Sequence, residues 1–213
     1  MPPAELLAHV DHLVYATAEL SQGVAEIERL LGVRASLGGR HPMWATRNAL
    51  VALGPSRYLE IIAPDPDHSP RAGVRPFGLD SHGPSRLTGW AAKATDLEQL
   101  RAAATQRGVA LGGVFAGSRQ RPDGTTLNWT LTDPCCVVAD GLVPFFIDWG
   151  LSPHPASTAA AGATLVGLRA EHPSAGDVRE ILQGFALPMP VARGTAPALI
   201  AEIACPNGRV VLR

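Results

Sequence analysis

Three cysteines among 213 residues are too few, and wrongly spaced, for a disulfide framework or a zinc site. Cys135 and Cys136 are adjacent and Cys205 is distant, so all three read as buried apolar thiols in a reducing compartment, and cytoplasm is the expected location. Charge of one sign is also lacking. A formal net charge of -1, with the arginines scattered, supplies no concentrated basic surface for nucleic acid or an anionic membrane. No apolar run is long enough for a bilayer, and MPPAELLAHV does not read as a secretory signal. Also missing are a glycine-rich phosphate loop, a nucleophile elbow and zinc-finger spacing, which leaves nucleotide cofactors and serine hydrolysis without support. What remains is an ordinary globular composition, 46% hydrophobic and 17% charged, with enough glycine and proline for many turns.

One pattern recurs along the chain. Residues 9–17 are rich in strand formers, and Leu20, Val24, Ile27 and Leu31 then follow at the spacing of one helix face, with Gly32 as the stop. Strands are expected over 33–38, 46–53 and 58–63. A Pro/Gly-rich connector over 64–84 follows, either a crossover or a functional loop. The order then restarts. A strand over 87–94 leads to a helix with Leu97, Leu100 and Ala104 on one face, preceded by the capping-box signal Thr95-x-x-Glu98, and strands follow over 114–120, 127–131 and 144–149. A second linker precedes a shortened third copy: a strand over 165–171, a helix capped by Ser174-x-x-Asp177, and strands near Val191, over 199–204 and over 209–212. The expected fold is α+β, built of tandem βαβββ modules over 1–65 and 84–150, with a shortened third over 163–213 and linkers over 66–83 and 151–162.

A βαβββ unit lays its helix on one face of a curled sheet and leaves the concave face uncovered, so two paired units enclose a cavity. Alternation puts His12, Val14 and Ala16 on one face of the first strand, and Tyr58, Glu60 and Ile62 on one face of the fourth. A carboxylate facing the helix layer would be costly, so Glu60, and with it His12, belongs on the concave side. Trp90 falls on the helix side as core. Arg121 and Asp123, before the Gly124 turn, and Trp129 on the strand after it would suit a carboxylate-bearing, partly apolar ligand.

The segments VDHLVYATAEL and RYLEIIAPD resemble the vicinal oxygen chelate superfamily, the glyoxalase fold. More narrowly, GGRHPMWATRNALVALGPSRYLEIIAPDP and RPDGTTLNWTL with PFFIDWG are similar to bacterial glyoxalase-like domain proteins, across nearly the whole chain. The resemblance implies metal-ligand positions at His12 and Glu60, with Asp148 offered by the fourth strand of the second module. It also places His41 and Asn48 near a substrate, and His154 lies just past Asp148 as either a pocket-mouth or a linker residue. Gly89 stands where a further ligand is expected, which departs from the family pattern.

Two functions follow from the resemblance. The first is a lyase, isomerase or dioxygenase dependent on a divalent metal (zinc, manganese, iron, nickel or magnesium), acting on a small oxygenated substrate through His12 and Glu60. The second is a metal-free protein that binds or sequesters a small molecule, in which His12 and Glu60 orient the ligand or act as acid and base. The expected partner is a small-molecule ligand, and a homodimer is left open.

Overall fold

The computed structural model describes every residue except 1, 2, 71, 72, 82 and 121–125. A short helix, α1 (Pro3–His9), enters the first strand, β1 (Val10–Ala16). Helix α2 (Leu20–Leu31) follows, then β2 (Ser36–His41), β3 (Thr46–Ala52) and β4 (Tyr58–Pro64). The order repeats as β5 (Arg86–Lys93), α3 (Leu97–Gln106), β6 (Val114–Gln120), β7 (Thr126–Thr132) and β8 (Phe145–Asp148). It returns, shortened, as β9 (Thr164–His172), α4 (Ala175–Gly184), β10 (Val191–Arg193), β11 (Ala198–Cys205) and β12 (Gly208–Leu212).

The first two modules share one eight-stranded mixed sheet in the order β2-β3-β4-β1-β5-β8-β7-β6. Strand β1 pairs in parallel with β4 and antiparallel with β5, which pairs in parallel with β8. The edges β2 and β6 approach each other, so the sheet curls nearly into a barrel. The third module forms its own sheet, β10-β9-β11-β12.

Strand alternation explains the layering. Leu13 and Tyr15 of β1 and Leu59, Ile61 and Ala63 of β4 join the main core with Ile27 and Leu31 of α2. Ile27 and Leu31 are fully buried, each stabilising by about 1.5–3 kcal/mol. Gly32 closes α2 in the left-handed region at φ 70°, and its backbone N–H donates to Glu28 O. Asn207, in the β11–β12 hairpin, donates to the carbonyls of Arg29 and Leu30 and so ties the third module to the end of that helix. Trp90 is completely buried on the helix side, as expected, and donates to Leu142 O at 2.9 Å.

The residues before β1 form helix α1, whose Leu6 and Leu7 bury against the main core. Two local expectations are corrected. Helix α3 is capped by Asp96, whose carboxylate accepts from Gln99 N, in place of the Thr95–Glu98 box. The cysteines are free and half-buried, not core: Cys136 and Cys205 donate to the backbone carbonyls of Ala110 and Gly208.

Candidate functional site

The other faces of β1 and β4 turn Val14, Ala16 and Ile62 inward with His12, Tyr58 and Glu60. With β2, β3, β6, β7 and β8 they enclose a cavity of about 60 Å³, room for roughly four to six water-sized groups. The connector after β4 closes one side. Its 3-10 turn, Pro76–Gly78, brings Phe77 against Phe145, with ring centres 5.6 Å apart. Asp65, buried at the start of that connector, is held by Arg40 at 3.1 Å and by His68 at 3.0 Å.

His12 is 3% and Glu60 6% exposed, and His12 Nε2 faces Glu60 Oε2 at 3.7 Å. The second carboxylate oxygen, Oε1, accepts from Asn48 Nδ2 at 2.5 Å. Asn48 is oriented from the far side, since its Oδ1 accepts from Gly39 N at 2.9 Å. That seat needs a glycine beside it: a Cβ on Gly38 would lie 2.0 Å from Asn48 Oδ1. Asn48 Nδ2 also lies 3.5 Å from His41 Nε2, and His41 Nδ1 lies 3.1 Å from Thr46 Oγ1. Burial lowers the pKa of His41; Glu60 opposes the shift, and Arg119 and His12 add to it. The imidazole is therefore neutral near pH 7. Burial, with Glu60 and Asp11 nearby, raises the Tyr58 hydroxyl well above its ordinary value.

Behind His12 lies a group that the sequence reading does not include. Asp11 is fully buried, and its Oδ1 lies 2.8 Å from His12 Nδ1. Trp149 Nε1 donates to Oδ2 at 3.1 Å, and His154 Nε2 lies 3.2 Å from the same oxygen. Burial pushes the Asp11 pKa up, but the hydrogen bonds and charge interactions of His12 and His154 outweigh it, and the carboxyl is held well below the usual range. Tyr58 stacks on the His12 ring at 4.6 Å, and the edge of Phe145 meets it at 5.4 Å.

The remaining nominated residues divide. Trp129 lines the cavity, 6.2 Å from the His41 ring and 5.2 Å from Trp149. Arg121, with Asp123 and Gly124, lies outside the described residues. Among the described residues, Arg119 brings a guanidinium to the cavity, against Gly38 and Gly39 of the opposite sheet edge. Asp148 does not meet His12 and Glu60. Its neighbours Ile147 and Trp149 line the cavity, whereas Asp148 faces an outer depression beside Asn128 and Ser152 and accepts from Gly150 N at 2.8 Å.

The strand register also revises the reading of Gly89. Ala91, not Gly89, lies opposite His12, and Gly89 lines a separate depression. In the first module His12 pairs with Tyr58 and Glu60 lies two residues on; in the second Ala91 pairs with Phe145 and Ile147 lies two residues on. The counterparts of His12 and Glu60 are therefore Ala91 and Ile147, both buried and apolar. Among the described residues, no group of three or more His, Cys, Asp or Glu side chains is placed to hold a metal ion. Among the described residues, the donors do not supply the three or more protein ligands that zinc and similar transition metals take in sites of this kind.

A near-closed sheet of paired βαβββ modules around such a cavity defines a vicinal oxygen chelate protein. The family model for the glyoxalase-like domain matches residues 10–185, and the chain belongs to that family. A hypothetical protein from Staphylococcus aureus shares the fold at a TM-score of 0.63 and 14% identity, over 95% of this chain and 83% of that one. Methylmalonyl-CoA epimerase from Mycobacterium tuberculosis aligns at a TM-score of 0.45 and 19% identity, over 70% of this chain and 93% of that one. No curated protein matches. Among the described residues, no helix is long and apolar enough to cross a membrane.

Proposed function

We propose that this glyoxalase-like protein binds a small oxygenated organic anion, and that His12 and Glu60 move a proton on it without a resident metal. The carrying observation is the facing pair at 3.7 Å, His12 Nε2 and Glu60 Oε2, with apolar residues at both corresponding positions of the second module. The separation is longer than a hydrogen bond, and His12 Nδ1 is already engaged by Asp11. Two acceptors held face to face fit a proton-bearing ligand atom between them, such as a hydroxyl or an acidic C–H next to a carbonyl. With one proton on the pair, one member acts as acid and the other as base. Arg119 on the opposite wall suits an anionic group, and Trp129 and Trp149 suit the ligand's apolar part.

The aromatic lining also favours a second reading, in which the protein sequesters a flat ligand and catalyses nothing. One experiment separates the two. Small 2-oxo, 2-hydroxy and 3-oxo carboxylates are incubated with untagged protein in D2O containing a chelator, and deuterium incorporation is followed by proton NMR. Tryptophan fluorescence reports binding in parallel. Proton transfer predicts deuterium incorporation that Glu60→Gln and His12→Asn abolish. Saturable quenching without incorporation supports sequestration. Stoichiometric metal in the purified protein, lost in His12→Ala, or exchange that needs an added divalent ion overturns the metal-independent reading.

A further inference from the structure

Two histidines share the buried Asp11 carboxylate, and their other contacts fix where each carries its proton. His154 lies in the linker between the second and third modules, and its Nδ1 accepts from Ala156 N at 3.2 Å. Its proton is therefore on Nε2, which donates to Asp11 Oδ2. Trp149 Nε1 supplies a second donor to that oxygen. The same indole N–H also reaches Oδ1, at 3.3 Å, but the shorter contact of Oδ1 is His12 Nδ1 at 2.8 Å. An acceptor at that place holds the His12 proton on Nδ1 and leaves the Nε2 lone pair facing Glu60 and the cavity.

We propose that Asp11 is a positioning residue that sets the tautomer of His12, and that Trp149 and the linker residue His154 fix Asp11 for that task. Asp11 does not line the cavity, so it acts through His12. A bulge makes this possible. The register between β1 and β5 shifts between Val10 and His12, so Asp11 escapes strict alternation and lies behind its neighbour's ring. The other charged or titratable groups around the ring are Tyr58 and Glu60 from β4, His41 from β2 and Arg119 from β6. The partner recorded at His12 Nδ1 is Asp11 Oδ1, at 2.8 Å. The linker consequently does more than connect modules: through His154 it reaches the proton-bearing atom of the site.

The proposal rests on the acid–base reading for its consequence but not for its test, which needs no substrate. Two-bond proton–nitrogen NMR of histidine-labelled protein at about pH 9, above the ordinary histidine range, reports each ring's tautomer. In the wild type, His12 carries its proton on Nδ1 and His154 on Nε2. Asp11→Asn turns an amide N–H toward His12 Nδ1, so the His12 proton moves to Nε2 while His154 is unchanged. His154→Phe keeps a ring against Tyr58 and Trp149 but deletes the donor, and the His12 Nδ1 proton then exchanges with solvent at least about tenfold faster. His154→Gln, which restores a donor, brings the protection back. A His12 proton on Nε2 in the wild type overturns the proposal even if no variant folds. So does an unchanged His12 tautomer in folded Asp11→Asn, or unchanged protection in His154→Phe. Where a turnover substrate is found, Asp11→Asn lowers the proton-transfer rate about a hundredfold or more with ligand affinity retained. Correct tautomers without deuterium incorporation would sink the acid–base reading and leave the positioning role intact.

Discussion

Replacing Asn48 by aspartate changes one atom facing Glu60, and its effect can be worked out from the hydrogen bonds. In the wild type Asn48 Oδ1 accepts from Gly39 N, which forces Nδ2 toward Glu60 Oε1 at 2.5 Å. Aspartate keeps the first bond and presents an oxygen in place of the second donor. Two carboxylates at that distance cannot both stay ionised: even at 4 Å and an effective dielectric of 20 the repulsion is about 4 kcal/mol. The folded variant therefore takes up one proton and shares it between the two side chains, while in the unfolded chain both ionise near pH 4.

The sign follows by linkage. Between the unfolded carboxylate range and the pH at which the folded pair releases its proton, the folded state binds one proton more. Stability relative to wild type then falls by about 1.4 kcal/mol per pH unit as pH rises. From pH 5 to pH 7 the loss is about 2.7 kcal/mol, levelling off once repulsion of about 4 kcal/mol is reached. Urea denaturation of both proteins at pH 5, 6 and 7 measures it, with equal slopes against denaturant as the check on the comparison. A difference independent of pH, or none at pH 7, would show that the Asn48 amide does not face Glu60 and would remove that support from the site.

Two further outcomes test the core and the cavity wall. Trp90→Phe leaves the Leu142 carbonyl without its indole donor in a fully buried place, costing about 2–4 kcal/mol; calorimetry should show Tm lowered by at least about 4 °C. Arg119→Leu removes a positive charge that helps depress the His41 pKa, after burial and against Glu60, so the His41 titration midpoint followed by NMR moves up. Because folded His41 resists a proton that the unfolded chain accepts near pH 6.5, its contribution to stability is lost as pH falls, and the Arg119 variant loses less.

Period-two alternation was enough to put His12 and Glu60 on the concave face, because burying Glu60 against α2 would have left a carboxylate in an apolar layer. The same rule could not show Asp11, since a bulge suspends alternation at that residue. Nor could it show His154, whose contact with Asp11 spans 143 positions and depends on how the second linker folds back. The choice of Gly89 over Ala91 failed for a related reason. It depended on where β5 starts relative to β1, and two register shifts between those strands leave no mark in composition. Arg119 was not legible as a cavity residue, because its facing depends on strand limits decided by pairing with β7.

The register that revises Gly89 also yields a constructive test. If Ala91 and Ile147 are the counterparts of His12 and Glu60, then Ala91→His with Ile147→Glu adds a second histidine and carboxylate facing the same cavity. Without metal the new buried groups destabilise the protein. With zinc at about a hundredfold over its dissociation constant, binding to the folded state restores about 2.7 kcal/mol. The double variant should therefore melt at a higher temperature with zinc than with chelator, and adding His12→Ala should erase that gain. The wild type should show neither effect. A double variant indifferent to zinc, or a gain that survives loss of His12, would mean that the four positions do not converge. The apolar pair at 91 and 147 would then no longer account for the missing group of three metal-ligating side chains among the described residues.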